Sequence, residues 1–489
     1  MGEPLAFGMA GGLLLMVFDL IVIGTGFASS FFLSRYLELG PKNARVLVLE
    51  RGKDVSHSQQ VADRIEFGDR STTGEHFEKV GMSGKDWNFS LGMGGSSNCW
   101  WGNTPRFIPA DFQTASLFGV GRDWPFQYDA IEPYYAEAEA IIAVSGSGEG
   151  YRFHRSREYT LPPHSLSDPE KKLQQAYPTA FFPMPTARAS RATSTRNRCC
   201  ANDVCSLCPV NAKFTVQNGL AHVYADKRVE LQSEAMVSSL EVTGGRLTGV
   251  QYKRRGKDVR AQGELIALGA NAIFNPIILA NSGMEHPLLG RRLHEQLGIA
   301  GYAYLDGMDS FQGSTSVSGI GYMLWDDEER RKSFAPALLE TRSVGLYRAE
   351  PRRWRQVLPI RLVYEDVPSE ANRVYPSRND PDRPVVEFVD YSGYTKRSAD
   401  RAMADLTKIL SPLPVERIEL NPVATESHIQ GTTVMGADPK DSIVDPFCVH
   451  HQYRNLLVLG SSVFPSCSPA NPTLTLSALS LRAADKLMA

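Results

Sequence analysis

Residues able to do chemistry appear first at Gly24, Gly26, Ser29 and Glu50. In "IVIGTGFASS" two glycines end an apolar run, and a helix-forming stretch follows at once. Glycines so placed let the backbone approach a phosphate, whose charge is drawn to the N–H groups and dipole of the helix start. Ser29 stands where a third glycine is expected and is small enough for close helix–strand packing. Glu50, at the end of a second apolar run, is placed to accept hydrogen bonds from ribose hydroxyls. A second stretch, "LGMGGSSNCWWGNTPRF" over 91–107, sets a bare glycine–serine backbone beside Cys99, Trp100 and Trp101. It suits a phosphate or a flat ring, or else a tight turn leading into a core. The third feature is "CCANDVCSLC", where Cys199, Cys200, Cys205 and Cys208 crowd together. In a large chain this reads as reduced thiols or a metal site rather than a disulfide framework.

These residues need elements to hold them. Residues 17–23 read as a buried parallel strand, a helix runs from about Gly26 to Leu39, and "RVLVLE" is a second strand ending in Glu50. Strand, turn, helix, strand and acid in that order form a βαβ unit of a doubly wound, dinucleotide-binding sheet. Residues 106–215 are irregular apart from a helix in "YDAIEPYYAEAEAIIA". From 229 to 283 a strand meander with "GG" and "RGK" turns closes on the buried strand "ELIALGA", followed by a short helix. Residues 300–430 alternate apolar and polar as an antiparallel sheet does, with one helix expected over 394–410. A strand, a loop and a terminal helix complete the chain.

With 489 residues, two domains or more are expected. The formal net charge of -2 gives no global attraction to nucleic acid or an anionic membrane. Residues 5–23 approach membrane-spanning length but include Asp19 and three glycines. The opening "MGEP" lacks the basic flank of a secretory signal. Residues 1–15 are therefore expected to be an appendage, with Met16 an alternative start, and the protein is expected to be cytoplasmic without membrane insertion.

Six collinear motifs then carry a resemblance: "GTGFAS" with Glu50, "GMGGSSNCWWGNTPR", "DWPFQYDAIEPYYAEAE", "LGANAIFNPIILANSG", "HIQGTTVMG" and "GSSVFPSCSPANPTLTLSALSLRAAD". Together they resemble the glucose–methanol–choline (GMC) oxidoreductases over residues 18–489, nearest the branch of pyranose oxidases and flavin dehydrogenases of sugars and aminosugars. The resemblance implies an α/β fold in which a Rossmann-like FAD-binding domain joins a discontinuous substrate domain built on an antiparallel sheet. Residues 16–105, 215–299 and 440–489 correspond to the FAD domain, 106–214 to a lid or insertion with the cysteine loop, and 300–439 to the substrate domain.

By the same resemblance the catalytic residues are His428, as the base for a hydroxyl proton, and Asn471, as an orienting amide. An imidazole of ordinary pKa near 6.5 suits that work. The implied FAD contacts are Gly24, Gly26, Phe27, Ala28, Ser29, Glu50, Gly94, Gly95, Ser96, Asn98, Cys99, Val237, Gly460, Ser461, Pro472 and Thr473. In pyranose oxidases a histidine at the position of Cys99 is joined to the flavin, so a cysteinyl link is an alternative here. Non-covalent FAD beside a small thiol is the expectation. The four-cysteine loop resembles a region linked to an iron–sulfur cluster in sugar and gluconate dehydrogenases. Its Cys205–Cys208 gap is one residue shorter, and zinc or a reduced structural loop are the other readings. The implied activity is oxidation of a hydroxyl on a sugar, glycoside or aminosugar, with oxygen or another acceptor taking the electrons. A redox-neutral, hydroxynitrile lyase-like reaction is the alternative.

Overall fold

The computed structural model describes residues 17–67, 76–151 and 153–489, so the expected appendage and Met16 lie outside the described residues. The first sheet begins with β1 (Val17–Ile23), which leads through α1 (Phe27–Leu39) to β2 (Val46–Leu49). It continues with β3 (Val229–Gln232), β4 (Ala235–Thr243), β5 (Arg246–Arg254) and β6 (Lys257–Leu268). The strand order is β3-β2-β1-β6-β5-β4, with the short strand Leu456–Val458 lying parallel to β6. The pairs β3–β2, β2–β1 and β1–β6 are parallel, while β5 and β4 are an antiparallel extension.

Leu20, Ile21 and Val22 are fully buried and Ile23 nearly so, as a strand covered on both faces requires. Each such side chain contributes about 1.5–3 kcal/mol on burial. The terminal helix Thr473–Met488 packs on α1, in the same apolar core as this sheet.

The second sheet comprises β7 (Leu297–Leu305), β8 (Val317–Leu324), β9 (Ala337–Arg342), β10 (Val357–Tyr364) and β11 (Val415–Pro422). Its order is β11-β7-β10-β9-β8, edged by Phe181–Pro183, and every pairing is antiparallel. One departure from the sequence reading concerns the helix expected over 394–410, which is two helices, Gly393–Ala399 and Ala402–Ile409. At the join the Arg401 amide turns to Ser398 O, a tightened i→i−3 bond that ends the first helix. Ala402, Leu406 and Ile409 then pack into the core of this sheet.

The segments are more interwoven than a simple succession of domains. Strand β7 runs across the expected boundary at 299, and Phe181–Pro183 brings the 106–214 segment into the second sheet. Glu78–Gly81 pairs in parallel with Val385–Phe388 in a separate three-stranded sheet. A buried ionic hub joins further segments at Asp111. Its carboxylate receives Arg331 Nη1 at 2.8 Å, Trp325 Nε1 at 3.1 Å and Ser468 Oγ at 2.7 Å. Arg331 Nη2 also reaches Glu365 at 3.3 Å. Among the described residues no helix is long and apolar enough to cross a membrane.

Candidate active site

Between the two sheets lies a cavity of about 480 Å³. One half of its wall is backbone. Gly24 ends β1 at φ +89°, and a Cβ there would stand 2.6 Å from Gly269 O at the end of β6. Only glycine lets these two parallel strands end so close together. Gly26 opens α1 without a side-chain cap and with no acidic residue in the first turn. A Cβ on Gly26 would meet nothing within 4 Å, because it would point into the cavity. The uncapped helix start is thus a free anion site facing open space. Gly95, at φ +50°, brings the 91–107 stretch against it, with a Cβ position 3.1 Å from Gly26 Cα.

The cavity brings together Gly24, Gly26, Phe27, Ala28, Glu50, Gly95, Ser96, Cys99, Val237, Gly460, Ser461, His428, Asn471, Pro472 and Thr473. Ser29, Gly94 and Asn98 do not line it and instead support its walls. Ser29 is fully buried, and a Cβ on Gly269 would lie 2.2 Å from its hydroxyl, so it sets the helix–strand approach. Gly94 N donates to Thr25 Oγ1 at 3.0 Å, and Asn98 Nδ2 to Met93 O at 3.0 Å. Glu50 reaches the cavity with its carboxylate already held by four protein donors. They are Thr25 N at 3.0 Å, Thr25 Oγ1 at 2.7 Å, Gly52 N at 2.9 Å and Gly92 N at 3.1 Å. It clamps the glycine turns to one another, and a ribose hydroxyl would have to share it.

Opposite these turns His428 and Asn471 meet. Asn471 Nδ2 stands 3.3 Å from His428 Nε2. An amide donating there makes Nε2 an acceptor and leaves the ring proton on Nδ1. His428 Nδ1 and Asn471 Oδ1 are buried without a partner. Such orphaned polar atoms beside an uncapped helix and a glycine-built wall fit an FAD site completed by its ligands.

His428 is held from behind by a pair that no sequence motif marks. Glu295 Oε1 accepts the His428 backbone N–H at 2.8 Å and Thr425 Oγ1 at 2.8 Å. Its other oxygen is paired with Lys85, and both side chains are almost fully buried. The Lys85 ammonium lies 4.1 Å from the centroid of the Trp87 ring. Burial, then the charges of Arg361 and Lys85, lower the His428 pKa from 6.5 to about 3. Against the ordinary value near 6.5 assumed from sequence, this environment favours the neutral imidazole.

As placed, the cysteines of the loop are not arranged as a metal centre. Cys199 Sγ contacts Thr315 Oγ1 at 3.5 Å and Cys205 Sγ contacts Ser316 Oγ at 2.9 Å, while Cys208 Sγ accepts Ala212 N at 3.3 Å. Cys200 is exposed. Among the described residues no group of three or more His, Cys, Asp or Glu is arranged to hold a metal ion. The thiols are spread over separate hydroxyl and amide partners, so the residues as placed fit neither an iron–sulfur cluster nor zinc. Between this loop and the cavity sits buried Lys213, donating to Asn98 O at 3.1 Å, Trp100 O at 2.7 Å and Ser206 O at 2.9 Å. It fixes the backbone on both sides of Cys99.

Residues 368–480 match a family model described as GMC oxidoreductase. The chain is 29% identical to the fructose dehydrogenase large subunit of Gluconobacter japonicus, over 81% of this chain and 80% of that one. It is 24% identical to 6'''-hydroxyparomomycin C oxidase of Streptomyces lividus, over 97% and 92%. Among solved structures, pyridoxine 4-oxidase from Mesorbium loti superposes with a TM-score of 0.69 at 17% identity, covering 96% of this chain and 98% of that one. That likeness shows a shared fold.

Proposed function

We propose that the chain is a GMC oxidoreductase, one of the FAD enzymes acting on CH–OH groups, and that it oxidises a hydroxyl of a sugar, glycoside or aminosugar. The observation that carries this reading is the juxtaposition of His428 Nε2 and Asn471 with the uncapped start of α1 in one cavity. Relatives named for fructose and for 6'''-hydroxyparomomycin C support the substrate class, and neither is named as a lyase.

FAD, when bound, supplies the acceptor for the hydride. Gly24, Gly26, Gly95, Val237 and Gly460 would hold it, non-covalently in our reading, with Cys99 beside it as a small thiol. His428 Nε2 takes the hydroxyl proton, and Asn471 orients the oxygen. Lys85 and Glu295 keep the imidazole backbone in register. An imidazole held at about 3 is a weak base in the resting site, so the hydroxyl proton passes to Nε2 as the substrate C–H bond breaks and the hydroxyl turns strongly acidic. The test is an anaerobic panel of sugars and aminosugars read by loss of flavin absorbance, repeated with oxygen and with dye acceptors. Bleaching by a sugar supports oxidation. Turnover without bleaching would instead favour the lyase.

A further inference from the structure

The cavity wall opposite the glycine turns carries three charged side chains that belong to no motif. Glu340 on β9 and Arg361 on β10 are direct cross-strand partners and therefore share a face of the sheet. Arg361 is the one charge in the buried strand "VLPIRLVY". Glu426, from the loop after β11, completes the row, its Oε1 accepting Arg361 Nε at 2.9 Å. A Cβ on Gly298 of β7 would lie 1.6 Å from that oxygen, so the sheet omits a side chain where the carboxylate enters. Asn103 Nδ2 donates to Glu340 Oε1 at 2.9 Å, and Asn103 is itself fixed by Arg188 at 3.1 Å.

These bonds use one oxygen of each carboxylate and one nitrogen of the guanidinium. Arg361 Nη1 and Nη2, Glu340 Oε2 and Glu426 Oε2 have no hydrogen-bond partner among the described residues, and all three side chains line the cavity with His428. Glu340 and Glu426 are nearly buried while the Arg361 guanidinium opens to the cavity, so these polar atoms are free to meet a ligand there.

We propose that Glu340, Arg361 and Glu426 are specificity-determining residues that read the hydroxyls next to the one being oxidised, so that the substrate is a neutral vicinal polyol. This rests on the alcohol-oxidation reading of the same cavity. Each hydroxyl is both donor and acceptor, and a pair of adjacent hydroxyls meets an acceptor–donor–acceptor row in full. A sugar acid would place its carboxylate against two carboxylates and one guanidinium. An ammonium would satisfy the carboxylates and leave the Arg361 donors unmet. Burial pushes the Glu426 carboxyl up to about 7 against the pull of Arg361, with Glu340 and Glu295 adding to the rise. Near neutrality it therefore accepts from or donates to an uncharged hydroxyl.

The test uses the holoenzyme and three six-membered probes: trans-1,2-cyclohexanediol, cyclohexanol and trans-2-aminocyclohexanol, each read by anaerobic flavin reduction. A site built to bond a second hydroxyl discriminates strongly against its absence, so the diol is expected to exceed cyclohexanol in kcat/KM by about a hundredfold or more. In Glu340→Gln and in Arg361→Gln that ratio is expected to fall at least about tenfold, with flavin absorbance per chain measured on each variant to show the cofactor site intact. Equal rates for diol and cyclohexanol, or a ratio that survives both substitutions, overturn the assignment while leaving alcohol oxidation standing. Preference for the aminoalcohol over the diol overturns it in favour of a cation site. If no probe bleaches the flavin although a sugar of the panel does, this assignment falls and the oxidation reading stands; if no sugar does either, both fall.

Discussion

The two halves of the cavity are built from different material. Toward the first sheet the wall is backbone: Gly24, Gly26 and Gly95 and an uncapped helix start. Toward the second sheet it is side chain: Glu340, Arg361 and Glu426 projecting from neighbouring strands and a loop. A backbone wall binds whatever presents phosphate and a flat ring, whereas a side-chain wall is rewritten by single substitutions. The division separates what the cofactor requires from what the substrate requires.

Gly26→Val tests the backbone half most severely. The added Cβ meets no protein atom, and φ is −69°, so the chain is expected to fold yet purify without flavin. Gly24→Val, by contrast, drives a Cβ toward Gly269 O and is expected to lose soluble protein altogether. A yellow Gly26→Val protein would break the comparison. At the junction of the halves, His428→Ala is expected to slow anaerobic flavin reduction by about a hundred- to ten-thousand-fold with FAD still bound. Asn471→Ala should cost less, because it removes an orienting donor and not the proton acceptor.

Lys85→Met sharpens the role of the buried pair. It leaves Glu295 uncompensated, at a cost of about 3–5 kcal/mol in stability measured by denaturant unfolding. It also removes one of two cations that depress His428. In the wild type the imidazole is buried neutral, so it costs no stability above 6.5, and stability is lost progressively as pH falls from 6.5 toward about 3, where the unfolded chain binds a proton the folded one does not. The acid limb of flavin reduction is expected to move upward in Lys85→Met and to return toward the wild-type position in Lys85→Arg. An unmoved profile would make the pair scaffolding alone. Cys99→Ala has the smallest expected effect: acid precipitation should release FAD from wild type and variant alike. Colour retained in the wild-type pellet and lost in the variant would reverse that expectation.

Legibility in the sequence followed the same division. The βαβ unit could be read because a continuous apolar run, two glycines and a terminal acid each follow from covalent geometry at fixed spacing. His428 and Asn471 were reached only through family motifs, since a lone imidazole and a lone amide have no spacing of their own. Lys85 and Glu295 meet across 210 residues of chain, and no local pattern encodes such a pair. Arg361 did leave a trace, as a charge inside an apolar strand, which seldom occurs without a partner. The break at Asp400–Arg401 left none, because both sides of it keep helical periodicity.

The hub at Asp111 bears on how such enzymes can be recombined. Asp111 from 106–214, Arg331 and Glu365 from 300–439 and Ser468 from 440–489 join three stretches of chain that a simple plan would treat as separate exchangeable parts. Ser468 stands just before Asn471, and Gln296 Nε2 bonds Ser468 O at 2.8 Å and Ala470 O at 3.0 Å, so the hub also anchors the loop carrying the amide. A chimera that imports a new substrate wall from a relative without its own partners for Asp111 would strand a carboxylate in the interior and loosen the catalytic loop together. The inheritable unit of specificity is therefore the antiparallel sheet with its ionic anchor, and exchange would succeed only when all four positions travel as a set.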